Sequence, residues 1–360
     1  MSFANARATS SIGINRRDCV LRALAHQEPA WQPYHVQFTQ TMRKRMAEFY
    51  GDRDFESKIG NFLLVRNTKP ANAEVEVKPG FWRDQFGILW DRTVDRDIGV
   101  PVGALIDLER IDDYRFPDPD DPSRYAGYAQ ARREHPDLFF VVNHSKTLFE
   151  ISWMLAGMSE VLMALVAEPE KVHRLMDRVM EFNLRVLDNV CRQDVDAVMF
   201  GDDYGTQKGL IMSPACWREF IKPRLGAMCR RVKAAGKFVF LHSCGNVRGL
   251  LPDLIECGVD VLNPFQPEVM DLADVKREFG DRLTFYGGIS TQRTLPLGTP
   301  EQTREEVRRL SSVIGRGGGY IVAPAHAIPA DARPENVAAM IESVSENYAL
   351  ALSSLRERPI

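Results

Sequence analysis

Phe238-Val239-Phe240-Leu241-His242-Ser243-Cys244-Gly245-Asn246 decides how the rest of the chain is read. Four apolar residues between Gly236 and Gly245 have the length and bounds of a short buried strand. At its exit, a histidine two residues from a cysteine presents an imidazole and a thiol together, which is half of a zinc site. The plain alternative is a satisfied core histidine beside a cysteine packed as a small hydrophobe. Only the surroundings can decide between the two.

Working outward, short apolar runs alternate with amphipathic stretches from Phe139 to the C-terminus. The strands are expected at 139–142, 197–201, 238–241, 259–262, 283–286 and 320–323, with an earlier one at 34–38. The helices are expected at 161–190 (in two pieces), 214–235, 247–257, 272–279, 300–315 and 334–355, preceded by 16–26 and 41–50. Such alternation over more than 200 residues predicts an α/β fold with a parallel sheet, doubly wound or closed into a barrel. The polar residues favour the barrel, because nearly every strand ends in them: Asn143-His144, Asp202-Asp203, His242 and Cys244, Asn263 and Gln266, Gly287-Gly288, and His326. Seven strands are counted. The eighth is either hidden in the irregular stretch before Pro101, where 74–77 and 86–100 read as hairpin material elaborating the main fold, or missed, so closure is inferred and not counted. Asp112–Pro122, with five Asp and three Pro, reads as a loop or as a linker between domains. The expected domain plan is an N-terminal lead-in at 1–15, disordered, and one (β/α)8 barrel at 16–360.

Composition narrows the function classes. A chain of 360 residues with net charge −3 and 44% hydrophobic residues is an ordinary globular enzyme-sized protein. It carries no basic field for nucleic acid and no apolar run approaching the roughly 20 residues of a membrane span. No signal-like stretch opens the chain, and six cysteines are too sparse for a disulfide framework, so a cytoplasmic setting is expected.

Three constellations can carry chemistry. His242 and Cys244, with His326 lying 82 residues beyond the cysteine, offer two nitrogens and a sulfur, a set suited to catalytic zinc with one position left open. Asp202 and Asp203 at a strand exit can serve as general acid or base, or can orient a metal-bound histidine; a capped turn is the plain alternative. Glu150 and Trp153 follow the exit at Ser145, with surface salt-bridging as the alternative for Glu150. The glycine run 315–319 lies between a helix and the next strand, the wrong end for a phosphate loop, and reads as a turn. His26 and His173 read as surface or capping residues.

The stretches 203–207, 213–223, 242–246, 260–264, 286–288 and 319–336 together resemble the uroporphyrinogen decarboxylase superfamily, over about residues 16–348. The resemblance implies a single (β/α)8 barrel with its cleft at the carboxyl ends of the strands. Within the superfamily, the decarboxylases grip their tetrapyrrole with an N-terminal Arg-x-x-x-Arg, whereas 29–35 here has no arginine. The corrinoid-linked methyltransferases hold zinc with a His-x-Cys pair, matched by His242 and Cys244, and with a later cysteine. Here that later position is His326, a histidine as in the decarboxylases.

The resemblance therefore implies Zn2+ at His242, Cys244 and His326, and a cobalamin (corrinoid) methyl carrier on a partner protein. The methyl group would pass to or from a small thiol or methoxylated compound. His326 either ligates the zinc or acts as a base beside it. Asp202 and Asp203 are the other catalytic candidates, and Glu150, Trp153, Gln207, Asn263 and Gln266 the substrate-binding ones. Family members often dimerise, so a homodimer is an expectation. Two alternatives remain: a metal-free decarboxylase or lyase acting on a smaller acid with Asp202 and His326, and a non-catalytic ligand- or corrinoid-binding barrel.

Overall fold

The computed structural model describes residues 15–356, with side-chain surroundings through residue 346. The lead-in lies outside the described residues except for Asn15, whose side chain caps the first helix. The chain forms two compact units: Val65–Glu134 with Phe140–Val259, and residues 15–64 with His135–Phe139 and the chain from Asp260 onward.

In the first unit, β1 (Leu63–Asn67), which enters from the other unit, lies beside β6 (Phe139–Ser145). Between them in sequence, β2 (Glu74–Lys78), β3 (Phe81–Asp84), β4 (Leu89–Asp91) and β5 (Val100–Pro101) form an antiparallel meander in that order. Then β6, β7 (Ala197–Gly201) and β8 (Phe238–His242) pair in parallel, with Val141 opposite Ala197 and Ala197 opposite Phe238. These are continuous apolar runs rather than alternating ones, as strands covered on both faces require, and β7 is buried at all five positions.

The intervening helices follow their apolar stripes. Pro169 starts the helix Pro169–Cys191, which buries Val172, Leu175, Met176, Val179, Phe182, Val186, Leu187 and Val190 at three- and four-residue steps. Helix Pro214–Phe220 begins at the Ser213 cap, and a second helix, Lys222–Ala234, with Pro223 in its first turn, follows directly.

In the second unit, β9 (Val261–Phe265), β10 (Thr284–Ile289) and β11 (Tyr320–Pro324) pair in parallel, with Phe285 between Leu262 and Tyr320. Helix Leu272–Phe279 is capped by Asp271, and helix Pro300–Val313 by a reciprocal capping box of Thr299 and Gln302. The C-terminal helix runs from Pro334 to Arg356. The glycine run at 315–319 is a turn into β11, and Lys276 Nζ donates to Gly318 O at 2.6 Å.

Strand and helix alternate along both units, so the fold is α/β as the pattern predicts. Six of the expected parallel strands are present, within a residue or two at most ends. One reading needs correction, and two open ones take a definite form. The first expected strand, 34–38, is two isolated parallel bridges, Tyr34 with Val322 and Phe38 with Ile328. Pro33 cannot donate a ladder hydrogen bond, and the side chain of Asn61, not a strand, satisfies the backbone of Val36. The strand sought before Pro101 is β1, followed by the meander that the hairpin pattern anticipates. The acidic, proline-rich stretch 112–122 lies inside one unit and is no linker between the two. Among the described residues no single helix is long and apolar enough to cross a membrane.

Candidate metal centre and its surroundings

The exits of β7 and β8 are pressed together backbone to backbone. A Cβ on Gly245 would stand 2.4 Å from the carbonyl carbon of Gly205, and one on Gly205 would stand 2.8 Å from the carbonyl oxygen of Cys244. Gly245 also has φ +83°, so no other residue satisfies both conditions there. Asn246 N donates to Thr206 O at 2.8 Å across this contact.

That contact sets the chemistry on the two loops. Cys244 Sγ lies 3.4 Å from His242 Nε2, and Cys244 N donates to Asp203 Oδ1 at 2.8 Å. The pair fits zinc on geometric grounds: zinc–sulfur and zinc–nitrogen bonds of about 2.3 and 2.0 Å at tetrahedral angles place the donors about 3.5 Å apart. Burial, then the carboxylates of Asp203 and Glu150, push the Cys244 thiol above its ordinary range. A divalent cation is the kind of neighbour that would reverse this and favour the thiolate.

Asp202 and Asp203, adjacent in sequence, do different work. Asp202 is fully buried. Its Oδ2 accepts from the N–H groups of Leu148 and Phe149 at 3.0 and 2.8 Å and from the Tyr204 hydroxyl at 3.1 Å; its Oδ1 accepts from Glu150 N at 2.7 Å. It thus caps helix Phe149–Ala156 from 52 residues away in sequence. Burial pushes its carboxyl up to about 7 against these donors, and pushes Glu150 up to about 8, with Asp203 and Asp202 adding to the rise and Lys146 opposing it. Because Asp202 is met by four donors, it is the member of the pair that keeps the charge, and Glu150 the one that holds a proton near neutrality.

Trp153 lies partly buried on the same helix, which the sequence reading had not assigned as a helix. Gln207 sits exposed at the tip of a tight turn closed by Thr206 N donating to Gly209 O at 2.6 Å.

In the other unit, His326 follows β11 and is exposed, with Nδ1 3.3 Å from Ala327 O. Asn263 is buried, and its Nδ2 donates to Tyr286 O at 3.1 Å; Gln266, just past β9, is also buried. His35, in the stretch expected as the first strand, is buried. It faces the interior, its Nδ1 2.5 Å from the Tyr286 hydroxyl, and burial lowers its pKa to about 4.

Sequence reasoning did not single out Lys146 or the pairing of His35 with Tyr286, and named His144 only as a polar strand end. His144 is held between Thr68 Oγ1 and Asn183 Oδ1, both at 2.8 Å, and burial lowers its pKa to about 4. Lys146 has φ +61°, uncommon for a residue with a side chain, and its Nζ lies 3.5 Å from the centre of the Trp90 ring. A lysine directly after a strand exit was the one signal available for it.

The uroporphyrinogen decarboxylase (URO-D) family pattern matches residues 105–347. The chain is 31% identical over 139 residues to methylcobamide:CoM methyltransferase MtaA of Methanosarcina barkeri, which covers 39% of this chain and 39% of that protein. The chain thus spans well under half the length of that relative. It is 23% identical over 357 residues to uroporphyrinogen decarboxylase of Methylococcus capsulatus, covering 91% of this chain and 97% of that one. A methyltransferase from Methanosarcina mazei superposes with a TM-score of 0.70 at 18% identity over 93% of this chain and 99% of its own, a likeness of fold. These relatives are enzymes. With its family pattern running from just past β5 into the C-terminal helix, the chain belongs to the uroporphyrinogen decarboxylase family.

Proposed function

We propose that this chain is a zinc-dependent methyltransferase or demethylase that moves a methyl group between a small thiol or methoxylated substrate and a corrinoid cofactor. The observation that carries the reading is the His242–Cys244 donor pair, 3.4 Å apart on a loop that the Gly205–Gly245 contact holds in place. The local likeness to a protein named as a methylcobamide:CoM methyltransferase supports it. His326 is the third ligand in this proposal, each of the three side chains offering one donor atom. The fold it assumes is a closed (β/α)8 barrel over 16–360.

Zinc, when bound, supplies Lewis acidity that favours a thiolate or polarises an ether oxygen. The chain's own residues do the rest. Asp203 fixes the cysteine loop through the Cys244 N–H. Glu150 holds a proton that it can donate to a polar substrate atom. Trp153, Gln207, Asn263 and Gln266 orient the small substrate, and the corrinoid arrives on a partner protein.

Metal analysis of the purified protein, followed by a visible-absorption assay of methyl transfer to or from free cobalamin across thiols and methoxylated compounds, tests the proposal. The expected result is about one zinc per chain and turnover that chelation abolishes. The full-length likeness to decarboxylases gives a second reading: a metal-free carboxy-lyase acting on a smaller acid with Asp202 and His326. Turnover that survives complete chelation would favour that reading and sink the first.

A further inference from the structure

We propose that the pocket between the antiparallel meander and the exit of β6 is a binding site for a small carboxylate, with Lys146 as its ligand. The pocket has a volume of about 40 Å³, with Lys146, Asn143, Thr68, Arg124, Gln85 and Phe182 on its wall. That is room for a carboxylate group and not for a tetrapyrrole or a corrinoid.

The charges around it are uncompensated in one sense only. Two acidic residues border the pocket, and both are already engaged. Glu74 pairs with Lys69 and, at 2.8 Å, with Arg92. Asp84 accepts from Trp90 Nε1 at 2.9 Å and from the N–H groups of Phe86 and Ile88.

Two cations remain. Arg124 is 2% exposed and donates to the carbonyls of Asp118 and Thr68 at 2.7 and 3.1 Å, making no ion pair among the described residues. Lys146 makes neither an ion pair nor a hydrogen bond among them; its ammonium rests on the face of Trp90, with all three donors unused. Glu150, Asp84 and Glu74 act on the Lys146 ammonium only through space; buried or half-buried cations are ordinarily paired directly, and here the partner that would do so is a ligand.

Two further observations point the same way. The side-chain carbonyl oxygen of Gln85, on the pocket wall, is buried without a hydrogen-bond partner. Amide oxygen and nitrogen are interchangeable by a flip, so this group can turn an N–H donor toward a bound oxygen. The backbone of Lys146 is held in the left-handed region, and Trp90, anchored through Asp84, fixes where its side chain ends. The lysine is therefore aimed before any ligand arrives, which lowers the ordering cost of binding. The site does not depend on a metal at His242 and Cys244.

The test uses the full-length protein titrated with sodium acetate and, at matched ionic strength, sodium chloride, reading thermal unfolding. A ligand that binds only the folded state raises the midpoint in a saturable way. Acetate is expected to do so and chloride is not. Lys146→Met, which keeps the aliphatic stem, is expected to raise the half-saturating acetate concentration at least about tenfold, and Lys146→Arg to restore most of it. Equal shifts with the two salts, or undiminished acetate binding by Lys146→Met, would overturn the proposal. If Lys146→Met does not fold, the unaltered protein is labelled with an amine-reactive reagent, and modification of Lys146 is followed by peptide mass spectrometry. Acetate should slow it several-fold relative to chloride, and equal labelling would overturn the assignment.

Discussion

The exits of β8 and β11 both carry a histidine proposed to hold the same metal, and they are built in opposite ways. His242 is partly buried, its Nε2 already 3.4 Å from Cys244 Sγ, on a loop clamped by a glycine-to-glycine contact and backed by Asp203. His326 stands exposed, with a backbone carbonyl 3.3 Å from its Nδ1. The first exit is arranged in advance, while the second presents an exposed imidazole just past the end of its strand. On the proposed ligand set, most of the affinity would come from the prearranged pair.

The sharpest way to break this contrast is to remove one donor at a time. Cys244→Ala is expected to weaken zinc binding by more than about a hundredfold, read by competition with a chromophoric chelator, whereas His326→Ala should cost only about tenfold. Equal losses would mean that the two exits are equally organised.

A second test addresses the clamp. Gly245→Ala meets the Gly205 backbone as well as an unfavourable φ, and should cost about 3 kcal/mol or more in urea unfolding. Gly236→Ala has φ +71° but nothing within 4 Å of the new Cβ, and should cost only about 1 kcal/mol. Matching costs would assign the whole effect to backbone conformation and none to the loop contact.

The smallest effect compares the two units through acid stability. His35 in one and His144 in the other are buried with pKa values lowered from 6.5 to about 4. As pH falls through 6.5 the unfolded chain takes up protons at these imidazoles while the folded chain does not until about 4. Stability should therefore fall across that window, by at most about 1.4 kcal/mol per pH unit for each imidazole. Denaturation midpoints of His35→Gln and His144→Gln should each lose part of that slope; an unchanged slope in both would show that other groups govern it.

Much of this architecture was legible because it is written in local periodicity. The runs that open β6, β7, β8 and β11 are apolar without interruption, and helix Leu272–Phe279 carries both its stripe and its aspartate cap in sequence. What escaped depends on partners far along the chain. Helix Phe149–Ala156 is started by Asp202, so its cap does not precede it in sequence, and which helix that aspartate caps cannot be read from its neighbours. β1 was hidden because only its first two residues are fully buried, leaving too short a signal. His242 and Cys244 stood out because the pair is local, while the role proposed for Lys146 depends on Trp90, 56 residues earlier.

The contact between Gly205 and Gly245 also bears on how such a protein can change over time. Two loops touching through bare backbone have no room for an added residue, and neither can lengthen without driving the other away from its strand. New reactivity at these strand exits must then come from exchanging single side chains, such as the residue at 244, or from remodelling outlying parts such as the meander. The chemistry is open to substitution, while the lengths of the two loops that carry it are fixed.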